Sequence, residues 1–212
     1  MIKSLLHFNN PSNFLYDEAG NAWQSFGNCS STAQGKFHNA LSLNRGYIQN
    51  NTINLGLTSD WTLDFWVYNS INYVNQPILS IQSIKGSVAG FVLEGYTLYI
   101  ANKSGIFDEF HFSPSLANQW IHFALVHNGQ DFYFFVQGKK LANIQSTNIL
   151  LGNNSDLVVG SRTGSNPSFV GFIDEVRITD KAEWTSNFTP PVTEYSSKAL
   201  YIGEDNSVMG MV

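Results

Sequence analysis

The run Phe169-Val-Gly-Phe-Ile-Asp-Glu-Val-Arg-Ile-Thr179, preceded by Asp156-Leu-Val-Val-Gly160, leaves few conformations open to this chain. Its β-branched and aromatic residues alternate with polar ones at period two, the pattern of a strand with one buried face. Two strands are predicted, over 157–159 and 172–178, joined by the Gly/Ser/Asn/Pro loop 161–168. Strict alternation in the second strand puts Ile173, Glu175 and Arg177 on one side and Phe172, Asp174, Val176 and Ile178 on the other. An acid then falls on a face that is otherwise apolar. A buried carboxylate is costly unless something compensates it, so Asp174 is expected to meet backbone N–H groups, a cation or a metal.

The rest of the chain repeats this grammar. Asn128-Gly-Gln-Asp131 and Gln137-Gly-Lys-Lys140 sit between apolar alternating runs, and Asn and Gly tolerate the positive φ that tight hairpins demand. No window sustains a 3.6-residue amphipathic pattern; a short helical turn around 181–184 is the one exception expected. No internal repeat suggests a solenoid or propeller. The 212 residues are 43% hydrophobic and 14% aromatic, enough for one large two-sheet core. Expected core positions include Leu63, Phe65, Val67, Ile121, Phe123, Leu125, Phe172, Val176 and Ile178. The net charge of −5, without a basic cluster, argues against nucleic acid. No apolar run reaches the length needed to insert in a membrane.

Gly171-Phe-Ile-Asp-Glu-Val-Arg-Ile178 resembles the last core strand of the laminin G-like, concanavalin A-like lectin sandwich. Leu5-Leu-His-Phe8, Asp17-Glu-Ala-Gly-Asn21 and Gly35-Lys-Phe-His-Asn-Ala-Leu-Ser-Leu-Asn44 resemble its first strand, acidic loop and return strand. Trp61-Thr-Leu-Asp-Phe-Trp-Val-Tyr68 resembles the central strand, and Trp120–Gly129 with Phe132–Leu141 the late hairpin. The resemblance implies an all-β, concanavalin A-like jelly-roll sandwich of two antiparallel sheets, with the sandwich over residues 1–191. Thr179-Asp-Lys-Ala-Glu-Trp-Thr-Ser-Asn-Phe-Thr-Pro-Pro191 resembles the closing phrase of laminin G-like modules in bacteriophage virion proteins, although Asp180-Lys-Ala-Glu-Trp184 replaces their usual basic, aromatic run. Residues 192–212 are then an extension for assembly or attachment. Met1 is followed by one Lys and an expected core strand, with no secretion signal pattern, so synthesis in a host cytoplasm and display on a virion surface are expected. The single Cys29 fits a reduced, structural thiol.

Catalysis is not expected. The Glu-x-Asp-x-x-Glu phrase of concanavalin A-like glycosidases is absent, and the five His residues are scattered without metal-ligand spacing. The resemblance instead implies a non-catalytic module that binds glycans or host-surface material, with other virion proteins and a homo-oligomer as further partners. A purely structural decoration protein and a polysaccharide-cleaving enzyme are the alternatives. Calcium, a ligand in many laminin G-like sandwiches, is expected as a structural ion held by Asp17, Asn21 and Asp174; the alternative is that Asp174 caps backbone N–H groups of the 17–21 loop. Trp61, Trp66 and Trp120 are expected to be buried in matched core phrases. Tyr73, Tyr96, Arg162 and Asn166 are therefore the candidate ligand-binding residues, as loop aromatics and hydrogen-bonding groups suited to a sugar.

Overall fold

The computed structural model describes residues 1–53, 55, 59–70, 76–83, 89–101, 107–112, 118–145, 155–162 and 169–196. Among them the strands run β1 (Ile2–Leu6), β2 (Gln24–Phe26), β3 (Cys29–Thr32), β4 (Ala40–Asn44), β5 (Tyr47–Asn50), β6 (Trp61–Asn69), β7 (Pro77–Ser83), β8 (Ala89–Glu94), β9 (Thr97–Ala101), β10 (Phe107–His111), β11 (Trp120–Asn128), β12 (Asp131–Val136), β13 (Lys139–Gln145), β14 (Ser155–Val159) and β15 (Val170–Thr179). They form two antiparallel sheets. One has the order β13-β12-β11-β6-β15-β4-β3 with β1 also on β15, and the other the order β10-β9-β8-β7-β14-β5-β2. This is the two-sheet sandwich the sequence implies, and β14 and β15, neighbours in sequence, belong to opposite sheets.

Both expected hairpins form. Asn128 pairs with Asp131 across a two-residue turn in which Gly129 has φ 61°. Val136 pairs with Lys139 across Gln137 and Gly138, at φ 50° and 72°, two consecutive positive values whose twist matches that of the strands. The core lies between the sheets. Leu63, Phe65 and Val67 of β6 and Ile121, Phe123 and Leu125 of β11 meet Ile81, Phe91, Leu93, Ile100 and Leu157 from the facing sheet.

The last strand departs from strict alternation. Asp174 pairs with Trp66 and Arg177 with Asp64, so three steps along β15 oppose two along β6. This β-bulge holds Glu175 at φ 53°, and one extra residue flips every later side chain to the other face. Ile173, Val176 and Ile178 therefore all point into the core. Phe172, expected in the core, lies half-buried on the outer face against Tyr68, with ring centroids 5.7 Å apart. Asp174 shares that outer face instead of the apolar one.

The same outer face is covered by residues 180–196. Trp184 stacks on Phe188 at 3.9 Å and 5°, and both pack on Ala124, Val126 and Phe135. Phe188 N–H donates to the Gly138 carbonyl at 2.9 Å, and Lys140 N–H donates to Asn187 Oδ1 at 2.9 Å. The expected helical turn at 181–184 is absent because its polar groups are used across the sheet: Thr62 Oγ1 donates to the Lys181 carbonyl at 2.8 Å and accepts from Glu183 N–H at 2.9 Å. Trp61 and Trp66 are buried as expected, whereas Trp120 is only half-buried at the rim against Tyr68.

Candidate functional site

The bulge coincides with a change of neighbour along one edge of β15. Its residues 170–173 pair with β4, whereas 176–179 pair with β1. Between them, at Asp174 and Glu175, neither neighbour is available for the ladder, and the two acids turn into this gap in different directions.

Glu175, only 1% exposed, is held at both oxygens. His7 Nδ1, just past β1, lies 2.5 Å from Oε1, and Tyr195 N–H donates to Oε2 at 2.6 Å. Glu194 closes the cluster: one donor atom each from His7, Glu175 and Glu194 lie within 4.8 Å of one another. Asn9 Nδ2 donates to Glu194 Oε2 at 3.1 Å, and His38 Nε2 lies 3.6 Å from the same oxygen. Burial alone would lower the His7 pKa, but the hydrogen bond and charge of Glu175, aided by Glu194 and Glu18, outweigh it and raise the imidazole above its ordinary value.

Above this cluster opens a cleft of about 620 Å³. Its wall is the loop after β1, tied by Asn13 N–H to the Asn10 carbonyl at 3.0 Å and Tyr16 N–H to the Asn13 carbonyl at 3.1 Å. Asn9, Asn10, Asn13, Phe14, Tyr16, Glu18 and Glu194 are among the residues that line it. Tyr16 is 55% exposed, and the lining contains neither Lys nor Arg.

Of the residues expected to share calcium, Asp17 and Asn21 sit together in one loop, whereas Asp174 is held by another. Asp17 accepts from Leu5 N–H (3.3 Å), Ala19 N–H (2.7 Å), Asn21 Nδ2 (3.1 Å), Trp23 Nε1 (3.0 Å) and the Ser4 hydroxyl. Those donors occupy both its oxygens, and Asn21 offers it a donor rather than a ligand oxygen. Asp174 accepts from Lys36 N–H at 2.8 Å, Phe37 N–H at 3.2 Å and Glu175 N–H at 2.8 Å. It therefore meets backbone N–H groups, but those of the 36–37 loop and not of 17–21. Burial first and the charge of Glu175 second override these N–H groups and raise the Asp174 pKa to about 7. The Asp17–Asn21–Asp174 arrangement does not fit calcium, which wants six to eight oxygen ligands.

Of the candidate ligand residues, Tyr73 and Asn166 lie outside the described residues. Tyr96 is packed against the core, its ring 6.4 Å from Phe112. Arg162 Nη1 lies 3.8 Å from Glu94 Oε2. Gln76 joins this rim, its carbonyl accepting from Gly95 N–H at 3.0 Å and its side chain from Val170 N–H at 3.2 Å.

A second polar cluster lies under the closing segment. Asp64, fully buried on β6, accepts from Arg177 Nε at 2.9 Å and from the Tyr195 hydroxyl, with His122 Nε2 at 3.1 Å. Burial would raise the Asp64 pKa, but the His122 hydrogen bond and the Arg177 charge hold it below the usual carboxylate value. The guanidinium stacks 3.7 Å from the centre of the Tyr195 ring. Tyr195 thus belongs to the covering of the sandwich, beyond the boundary at 191 read from the sequence. Sequence reasoning passed over both clusters. The usable signal was Asp174-Glu175 itself: two adjacent acids in an apolar strand cannot share the outer face without a bulge.

The family model described as the concanavalin A-like lectin/glucanases superfamily, of laminin G type, matches residues 43–183, and the chain belongs to that family. Domain 4 of AbnA, a GH43 extracellular arabinanase from Geobacillus stearothermophilus solved in complex with arabinotriose, is similar at TM-score 0.67 and 19% identity, over 85% of this chain and 93% of that one. The Botulinum Neurotoxin serotype G binding domain is similar at TM-score 0.62 and 13% identity, over 86% and 48%. The binding domain of Paraclostridial Mosquitocidal Protein 1 gives 0.58 and 15%, over 77% and 45%. The chain spans about half the length of these two toxin domains. At such identities the likeness establishes the fold. No curated protein matches the chain.

Proposed function

We propose that the chain is a non-catalytic glycan-binding module, displayed on the surface of a phage particle, and that the cleft above Glu175 holds the sugar. The observation that carries this reading is the lining of that cleft. Planar amides and carboxylates form paired hydrogen bonds to adjacent hydroxyls, and an exposed Tyr ring offers a face for the apolar side of a pyranose or furanose. A volume of about 620 Å³ suits one to a few sugar units. Glu18 and Glu194, without a lining Lys or Arg, favour neutral over acidic glycans. The arabinotriose complex of the AbnA domain supports a sugar as ligand.

Hydrolysis would need two working carboxylates, and Glu175 and Glu194 are near enough to raise the question. Glu175 is unsuited to it: 1% exposed, with both oxygens engaged, it cannot approach an anomeric carbon. The virion assignment rests on the closing phrase at 179–191, and the segment beyond Tyr195 is assigned to assembly contacts.

A glycan array tests the reading. Neutral oligosaccharides should bind, Tyr16→Ala should weaken them roughly tenfold or more by removing the stacking ring, and reducing ends should not accumulate. Release of reducing ends would establish the enzyme instead. Incorporation into particles without array binding would leave a structural decoration protein.

A further inference from the structure

The geometry points to a transition-metal site of the zinc kind, built from His7 and Glu194, which line the cleft, and from Glu175, buried behind them. These three side chains come from separate parts of the chain: the loop after β1, the bulge of β15 and the closing segment. The fold, not local sequence, brings their donor atoms within 4.8 Å of one another.

Tetrahedral zinc with bonds of about 2.0–2.2 Å sets its ligands roughly 3.4 Å apart. His7 Nδ1 and Glu175 Oε1, now 2.5 Å apart, need open by only about an ångström, and Glu194, on the exposed lip, closes inward. Glu175 is already oriented by the Tyr195 N–H on its other oxygen, the kind of outer support that fixes ligating carboxylates. An imidazole nitrogen with two carboxylates favours zinc over calcium or magnesium, which take oxygen ligands in larger number. His38 Nε2, 3.6 Å from Glu194 Oε2, offers a second imidazole. Otherwise the fourth position faces the cleft and takes water or a hydroxyl from a bound ligand. A dication there also compensates Glu175, a buried acid whose side-chain partners are an imidazole and one N–H.

The metal is measured without any sugar, so its failure leaves the glycan reading standing. Calorimetric titration of the chelator-stripped full chain with zinc chloride near neutral pH should show one ion per chain, and zinc should raise the melting temperature. Glu194→Ala, at an exposed position, should keep the metal-free melting temperature but weaken zinc roughly tenfold or more; His7→Gln should weaken zinc likewise while lowering the metal-free melting temperature, because it takes a partner from the buried Glu175, and excess calcium chloride should not compete. Lack of stoichiometric zinc binding, or zinc binding that survives both substitutions, overturns the assignment.

Discussion

Replacing Asp64 by Asn tests whether the closing segment is locked to the sheet by charge. Asp64 is fully buried and carries bonds from Arg177, Tyr195 and His122. In Asp64→Asn the shape is kept, but among the described carboxylates Arg177, with 11% of its side chain exposed, retains the more distant Glu183, at 3.8 Å, as its one ion-pair partner. Breaking a buried pair from one side costs about 3–5 kcal/mol, a large share of the roughly 5–15 kcal/mol available to a domain. Tyr195→Phe keeps the ring on Arg177 and removes one hydrogen bond to a charged acceptor, worth about 1.5–3 kcal/mol. With an m-value of about 2–3 kcal/mol per molar urea, Asp64→Asn should lower the unfolding midpoint by roughly 1–2.5 M, read by tryptophan fluorescence at pH 7. The sign with pH follows from the depressed folded pKa. The contribution of Asp64 is fully present above its unfolded value, about 3.9, and is lost as pH falls through the lower folded one. The gap between wild type and Asp64→Asn should therefore narrow in acid. A midpoint unchanged at pH 7, or a gap that stays constant into acid, would refute the reasoning.

Gly138→Ala should lose at least about 1–2 kcal/mol for the positive φ alone, and more because a Cβ there would sit 2.0 Å from the Phe188 carbonyl; urea unfolding checks the loss and Trp184 emission the displaced segment. Val176→Asp should leave the chain unfolded by circular dichroism, since an unpartnered charge in the core costs several kcal/mol. Ending the chain after Ser196 should leave the melting temperature near wild type while abolishing oligomerisation or particle incorporation. Ending it after Pro191 also removes Tyr195 and should lower the melting temperature in calorimetry.

What could be read in advance was whatever obeys a local rule. Asn128-Gly and Gln137-Gly announce their hairpins because positive φ is a property of one or two residues. The alternation of β6 and β11 declares the core for the same reason: Leu63, Phe65 and Val67 need no knowledge of what faces them. Phe172 misled because alternation is a phase, and a single bulge shifts it. Nothing near Trp184 signals that its backbone neighbours are committed to Thr62, which lies far away in sequence, so a helical turn looked acceptable there. The Glu175 cluster was less visible still. His7 and Glu175 are separated by 168 positions, and although Glu175 stands out beside Asp174, nothing in its segment points to His7.

The bulge explains why the polar groups gather where they do. An antiparallel ladder leaves little room for carboxylates in the middle of a sheet, because each backbone group is committed to a neighbour. Where β15 exchanges β4 for β1, that commitment lapses for about two residues, and backbone N–H groups from outside the ladder can turn toward side chains. Asp174 takes those of Lys36 and Phe37, and Glu175 takes that of Tyr195. The closing segment then covers the outer face, and its last described turn of chain carries Glu194 to the lip of the cleft. Core and site therefore meet in one feature of β15. Deleting Glu175, the extra residue of the bulge, would restore strict alternation between Asp174 and Arg177 and leave Val176 and Ile178 facing the core. The sheet should then survive in that variant without the Glu175 cluster, read as a retained β circular-dichroism spectrum and a cooperative urea transition, whereas Tyr16→Ala should alter the cleft alone.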